Sequence, residues 1–112
     1  MQKTRVVIAE DERLTREMLA RLFALEEDVE VVGTAGDGKL ALSVVRAQKP
    51  DVLLTDIGMP QLTGIDITDI LRREMPGVGV VILTIYNDDE RVFAAIKAGA
   101  RGYVLKDSPP ED

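Results

Sequence analysis

Five short apolar runs, rich in β-branched residues, recur along the 112-residue chain and constrain its fold more than any other feature. At least the first, third and fourth runs are continuous rather than alternating, as expected of strands that are covered on both faces. Such strands are typical of parallel sheets with helices above and below. The runs lie at residues 6–9, 29–32, 52–55, 80–83 and 103–105.

The segments between these runs have the spacing of amphipathic helices. In the first segment, one apolar stripe is formed by Leu14, Met18, Leu22 and Leu25, with Leu19 and Phe23 beside it. Similar spacing recurs within residues 40–45, 67–71 and 92–96, and Pro50 and Pro76 mark helix exits. The alternating order requires right-handed crossovers. We therefore predict an α/β fold, a flavodoxin-like doubly wound parallel five-stranded sheet with strand order 2-1-3-4-5.

The last residues carry the start signal of a further helix. Ser108 suits the N-cap, Pro109 the first helical position, and Glu111 the third position of a capping box. The sequence stops at Asp112, so we expect the fifth helix to be missing or only begun. The chain is too short for two independent cores. We interpret residues 1–112 as one domain that is truncated at its C-terminus.

Composition excludes several classes of function. Cysteine and histidine are absent, which excludes disulfides, thiolate or imidazole metal sites and histidine-based catalytic triads. A net charge of −6 and an aromatic content of 4% provide neither a basic patch nor a stacking platform for nucleic acid. The sequence has no apolar run of membrane-spanning length and no signal-peptide pattern. We therefore expect a cytoplasmic protein that does not bind membranes.

Acidic residues follow two of the predicted strands: Glu10 and Asp11 after the first, and Asp56 after the third. In the predicted strand order these strands are neighbours, and ligands bind beyond their carboxyl ends. Clustered carboxylates repel one another unless a cation compensates, and an all-oxygen site suits Mg²⁺. Thr84 and Lys106 end the fourth and fifth strands at the same edge. This combination suits phosphoryl transfer to a carboxylate.

These residues make the chain similar to the receiver domain of two-component response regulators along its whole length. The matching residues are Glu10, Asp11, the run Asp56, Ile57, Gly58, Met59 and Pro60, then Gly64, Thr84, and the run Tyr103, Val104, Leu105 and Lys106. Residues 98–103 and 106–108 most resemble the NarL/FixJ-like subfamily. Members of that subfamily usually continue into a LuxR-type helix-turn-helix domain that binds DNA.

The resemblance implies a phosphoacceptor and a cofactor. Asp56 is expected to take a phosphoryl group from the phosphohistidine of a sensor histidine kinase. Mg²⁺ is the implied cofactor, with Asp11, Asp56 and the backbone carbonyl of Gly58 as direct ligands and Glu10 acting mainly through water. The domain would catalyse only its own phosphorylation and dephosphorylation and is therefore not expected to be an enzyme.

The resemblance also implies a switch and its partners. Lys106 is expected to pair with one phosphoryl oxygen, and Thr84 to move and bond another. Tyr103 would then swing inward. A homodimer is expected on activation, and DNA would be bound only through a C-terminal domain that this chain does not contain.

Two other functions stay open. An aspartyl-phosphate phosphatase of the haloacid-dehalogenase type needs a second Asp two residues after the nucleophile, where this chain has Gly58. A phosphorylation-independent interaction module would have lost a key residue, and here each is present. Each residue also has an ordinary structural explanation when taken alone: Asp11 could cap a helix, and Asp56 could form a turn.

Residues 33–39 match the pattern G-x-x-x-x-G-K between a strand and a helix, which is the pattern of a nucleotide-binding P-loop. A P-loop has Ser or Thr at the next position, where the hydroxyl binds Mg²⁺, but this chain has Leu40. We therefore interpret the segment as an ordinary loop in which Asp37 caps the following helix.

Overall fold

The computed structural model describes residues 3–84, with Thr84 by its backbone only, and the backbone of residues 102–105. The elements are β1 (Thr4–Ala9), α1 (Arg13–Ala24), β2 (Val29–Ala35), α2 (Gly38–Gln48), β3 (Val52–Asp56), α3 (Gly64–Glu74), β4 (Gly79–Thr84) and β5 (Gly102–Leu105). All neighbouring strands are parallel, in the order β2-β1-β3-β4-β5. The predicted flavodoxin-like sheet and its strand order are confirmed.

Some predictions fall outside the described residues. These are the fourth helix around residues 92–96, the helix start at residues 108–111, and the side chains of Thr84, Tyr103 and Lys106. They stay predictions. Within the described ranges, the longest helix has 12 residues, and none combines the length and apolar character that a membrane crossing requires.

Both faces of the sheet are covered, as the continuous apolar strands predict. On one face, α2 and α3 pack over Val7, Leu53 and Ile82. On the other face, a smaller core under α1 contains Ile8 and Leu54. These strand residues are almost completely buried. Packing on both faces therefore holds the strands in place, and with them the backbone at their carboxyl ends.

The apolar stripe that helical spacing identifies in α1 is not the face that packs on the sheet. Its four residues are 69%, 54%, 54% and 77% exposed, in the order Leu14, Met18, Leu22 and Leu25. The neighbouring stripe of Leu19 and Phe23 packs on the sheet instead, together with Ala20. Spacing alone does not separate the two stripes, because Leu19 and Phe23 are also four residues apart.

Helices α2 and α3 end just before the prolines that mark their exits. Helix α2 ends at Gln48, and Lys49 then adopts a left-handed conformation with φ of 49° before Pro50. Helix α3 ends at Glu74, two residues before Pro76. The predicted helix exits are confirmed.

An ion pair joins α2 to α3 at the surface. Arg46 donates two hydrogen bonds to the carboxylate of Glu74, at 3.1 Å from Nε and 2.8 Å from Nη2. These bonds lower the pKa of Glu74 and raise the pKa of Arg46. Both side chains are about half exposed, so solvent screens the pair and its contribution to stability is small.

We expect Glu74→Gln to lower the free energy of unfolding at neutral pH and to have no effect at strongly acidic pH. Because the folded state lowers the pKa of Glu74 from its ordinary value of 4.5, the unfolded chain binds more protons, and the stabilisation disappears as the pH falls through the lowered pKa. Urea unfolding across this pH range measures the difference. Glu27→Gln, at an exposed position, controls for the lost charge. A difference that persists when Glu74 is protonated would contradict the assignment.

Candidate functional site

The parallel register brings acidic residues from distant parts of the chain to one edge of the sheet. Ala9 of β1 pairs with Thr55 of β3, so Glu10 and Asp56, each one residue further along, emerge side by side. One carboxylate oxygen from each of Glu10, Asp11 and Asp56 lies within 4.8 Å of the others. The structure thus brings together the three acidic residues that the sequence singles out. We call these three residues the acidic cluster.

The acidic cluster is largely withdrawn from water. Glu10 is fully buried and Asp56 is 5% exposed, whereas Asp11 is exposed. The Oε2 atom of Glu10 accepts a hydrogen bond from the backbone N–H of Glu12 at 3.0 Å. Three carboxylates this close together repel one another, and little water reaches two of them to screen that repulsion. A hard divalent cation such as Mg²⁺ prefers carboxylate oxygens and would offset that repulsion, so the residues present fit Mg²⁺.

Asp11 is not the cap of α1. The N-cap residue is Glu12, whose side chain makes no capping hydrogen bond to the backbone. It accepts a hydrogen bond from the hydroxyl of Thr15 instead. The interpretation of Asp11 as a helix cap is therefore wrong. Its carboxylate belongs to the acidic cluster.

The loop that follows Asp56 leaves β3 along a tightly packed path. The backbone N–H of Gly64, the first residue of α3, donates a hydrogen bond to the carbonyl of Ile57 at 2.8 Å. A Cβ atom at position 64 would lie 2.3 Å from the carbonyl oxygen of Asp56, so only glycine fits there. Gly58, whose carbonyl is the expected metal ligand, directly follows Ile57 and lies in the loop that these contacts close.

Backbone pairing brings the ends of β4 and β5 to the same edge. Asp56 pairs with the residue before Thr84, and Thr84 pairs with Leu105, the residue before Lys106. The side chains of Thr84, Tyr103 and Lys106 lie outside the described residues, so their roles stay predictions.

Arg16 of α1 lies beside the acidic cluster, although the sequence analysis does not predict it. Its Nη1 atom donates a hydrogen bond to the backbone carbonyl of Glu10 at 2.8 Å. No sequence signal identifies such a contact, because the acceptor is a carbonyl group that every residue carries.

Residues 36 and 37 form a short loop between β2 and α2, with the helix cap that the sequence indicates and not a nucleotide-binding P-loop. Asp37 is the N-cap of α2, and its Oδ1 atom accepts a hydrogen bond from the backbone N–H of Leu40 at 2.8 Å. The capping role predicted for Asp37 is confirmed.

Comparison with known proteins identifies the family that this arrangement matches. The family model described as response regulator receiver domain matches residues 6–112. The uncharacterized transcriptional regulatory protein YhcZ of Bacillus subtilis is 41% identical over 108 residues, which cover 96% of this chain and 50% of YhcZ. The chain thus spans about half the length of the curated relatives it matches.

Solved structures share the fold. The signal receiver domain of NarL from Mycobacterium tuberculosis is 36% identical with a TM-score of 0.93, covering 97% of this chain and 88% of that chain. The isolated REC domain of RcsB from Salmonella enterica serovar Typhimurium, in the presence of the phosphomimetic BeF3−, is 26% identical with a TM-score of 0.90. That match covers 99% of this chain and 83% of the RcsB chain.

We expect Mg²⁺ to raise the melting temperature of the chain. A ligand that binds only the folded state stabilises it by about 2.7 kcal/mol at 100 times its Kd. Without a cation, Asp56→Asn should itself raise the melting temperature, because it removes one of three mutually repelling charges. Thermal melts followed by circular dichroism, with and without MgCl₂, measure both effects.

Asp28→Asn, at an exposed position before β2, is the matched control for the loss of one negative charge. It should respond to Mg²⁺ as the wild type does. An equal response of Asp56→Asn and the wild type to Mg²⁺ would place the cation elsewhere.

Proposed function

The chain belongs to the response regulator receiver domain family, and on that premise we propose that it is a switch controlled by phosphorylation of Asp56. The observation that carries this proposal is the convergence of Glu10, Asp11 and Asp56 within 4.8 Å at the carboxyl edge of the sheet. Asp56 ends β3, which lies between β1 and β4 in the sheet. Its carboxylate is therefore the proposed nucleophile, and it lies beside two other carboxylates that could bind a cation with it.

The proposed reaction is phosphoryl transfer from a phosphohistidine of a sensor histidine kinase. A carboxylate oxygen of Asp56 attacks phosphorus, so that a P–O bond forms and the P–N bond breaks. The electron pair of the P–N bond stays on the imidazole, which leaves as a neutral ring when its other nitrogen carries a proton. Mg²⁺ bound by Asp11, Asp56 and the carbonyl of Gly58 would neutralise charge on the phosphoryl oxygens. Glu10 would act mainly through water.

The absence of a side chain at Gly58 favours a switch over a phosphatase. A phosphatase with an aspartyl intermediate needs a general acid two residues after its nucleophile, and Gly58 supplies none. Hydrolysis of small phosphomonoesters with many turnovers is therefore not part of this proposal.

Lys106 and Thr84 complete the proposed site, each by binding one phosphoryl oxygen, and Tyr103 then moves inward. Phosphorylation adds about one to two negative charges, and its unequal contacts with the two conformations shift their populations. The parallel pairing that brings the ends of β4 and β5 to the same edge of the sheet as Asp56 supports these assignments. The likeness to the REC domain of RcsB, whose structure was determined in the presence of a phosphomimetic, supports them too.

We infer that residues 1–112 are the receiver part of a longer transcription regulator. The supporting observation is that the chain spans only half of YhcZ, a transcriptional regulatory protein. The net charge of −6 disfavours contact between this domain and DNA, so a separate C-terminal domain of LuxR type would bind it. A homodimer formed on activation would then present two such domains.

We expect acetyl phosphate to add one phosphoryl group to the chain, and only when Mg²⁺ is present. Acetyl phosphate is a small donor, so this test needs no cognate kinase. Intact-protein mass spectrometry measures the gain, and lability to hydroxylamine identifies an acyl phosphate. Asp56→Ala should abolish the gain, whereas the exposed control Asp28→Ala should keep it. A gain that survives Asp56→Ala or removal of Mg²⁺ by EDTA would overturn the proposal.

A further inference from the structure

Residues 36–38 form the turn that leads from the end of β2 into the first residue of α2. This turn contacts the loop between β3 and α3 and the side chain of Arg16 in α1. It is the glycine-rich part of the segment that resembles a P-loop in sequence. Asp37 is the one residue of this turn that is not glycine, and its side chain caps α2. The two glycines therefore need another explanation, and the contacts around them supply it.

Gly38 allows the start of α2 to pack directly on the loop between β3 and α3. Its backbone N–H donates a hydrogen bond to the carbonyl of Pro60 at 3.2 Å. A Cβ atom at position 38 would lie 1.8 Å from the carbonyl oxygen of Leu62 and 2.5 Å from its carbonyl carbon. Because these are backbone atoms, the loop itself would have to move. Gln61, between them, has φ of 74°, a strained conformation that its surroundings must hold.

Gly36 leaves space for Arg16, which contacts the backbone of Glu10. A Cβ atom at position 36 would lie 2.9 Å from Nη1 of Arg16, the atom that donates to the carbonyl of Glu10. This carbonyl belongs to the peptide group that joins Glu10 to Asp11. The N–H of Glu10 donates to the carbonyl of Ala35 at 3.0 Å, just before the turn. The direction in which both carboxylates leave the backbone therefore depends on this turn.

We propose that Gly36 and Gly38 are positioning residues for the cation site. Without Cβ atoms, one short turn leaves room for Arg16 to bind the Glu10 carbonyl and lets α2 bond to the backbone of the loop that contains Gly58. Neither glycine touches the cation, and both act through groups that do. This inference rests on the proposed function, because it concerns the same site.

Displacing either loop should weaken Mg²⁺ binding, because groups that orient metal ligands change metal affinity about 10- to 100-fold. We expect Gly38→Ala to raise the Kd for Mg²⁺ about tenfold. Gly36→Ala should raise it less, because the guanidinium of Arg16 is the end of a flexible side chain and can shift. Arg16→Met keeps the aliphatic stem but loses the donor to Glu10, and should also raise the Kd. Isothermal titration calorimetry with MgCl₂ measures the Kd. The Mg²⁺ midpoint of phosphorylation by acetyl phosphate is a second readout, and it should shift in parallel.

Three variants serve as matched controls. Gly33→Ala creates an overlap of its own, since its Cβ would lie 2.6 Å from Cγ1 of Val44 in α2, but the overlap is not with the Gly58 loop. Gly77→Ala meets nothing within 4 Å. Arg21→Met removes an exposed guanidinium from α1. We expect all three to keep the wild-type Kd for Mg²⁺, although Gly33→Ala should lower the melting temperature.

The outcomes separate positioning from a purely structural role. If Gly38→Ala, Gly36→Ala and Arg16→Met lower the melting temperature but keep the wild-type Kd, the inference is wrong. If Gly38→Ala does not fold, the Kd of Arg16→Met for Mg²⁺ decides whether the inference holds. Arg16 is half-buried, and its replacement by Met introduces no overlap with the backbone. If the wild type itself does not bind Mg²⁺, the proposed function fails instead.

Discussion

Repulsion among three carboxylates is the constraint on which the rest of the site depends. Glu10, Asp11 and Asp56 have oxygens within 4.8 Å of one another, and two of the three side chains are buried. Such an arrangement persists only where the surrounding structure enforces it. The parallel pairing of β1 with β3 does so, because strands of almost completely buried apolar residues cannot slip without exposing their side chains. The stability of the apolar core thus offsets the repulsion among the carboxylates at the edge of the sheet, where the proposed chemistry takes place.

Backbone contacts, more than side chains, set the geometry around the acidic cluster. Gly64 fits against the carbonyl of Asp56, Gly38 against the carbonyl of Leu62, and Gly36 against the guanidinium of Arg16. At Gly64 and Gly38 the neighbouring atoms are backbone atoms, so the contact requires the absence of a Cβ atom, whereas the guanidinium beside Gly36 is the end of a flexible side chain and could shift at small cost. Cation ligands must be held at closely defined distances. The glycines meet this requirement because they let rigid elements approach the loops directly.

Some features followed from the sequence because each depends on a local pattern. Continuous apolar strands indicated a doubly covered parallel sheet, and the residues after them indicated an acidic edge. The capping role of Asp37 followed from its position before a helix. The packed face of α1 did not follow, because two apolar stripes lie side by side and only contact with the sheet selects Leu19 and Phe23. Arg16 could not be predicted either, since its acceptor is a backbone carbonyl.

The sequence by itself indicated the strands, the doubly wound parallel sheet and an acidic edge after β1 and β3, because these depend on apolar runs and on the rule that ligands bind beyond the carboxyl ends of parallel strands. Only the tertiary structure decided that Asp11 joins the acidic cluster instead of capping α1, and that Gly36 lies against Arg16 and Gly38 against the loop between β3 and α3. The physical reason is distance along the chain. These contacts join segments remote in sequence, and no local pattern records where such segments meet.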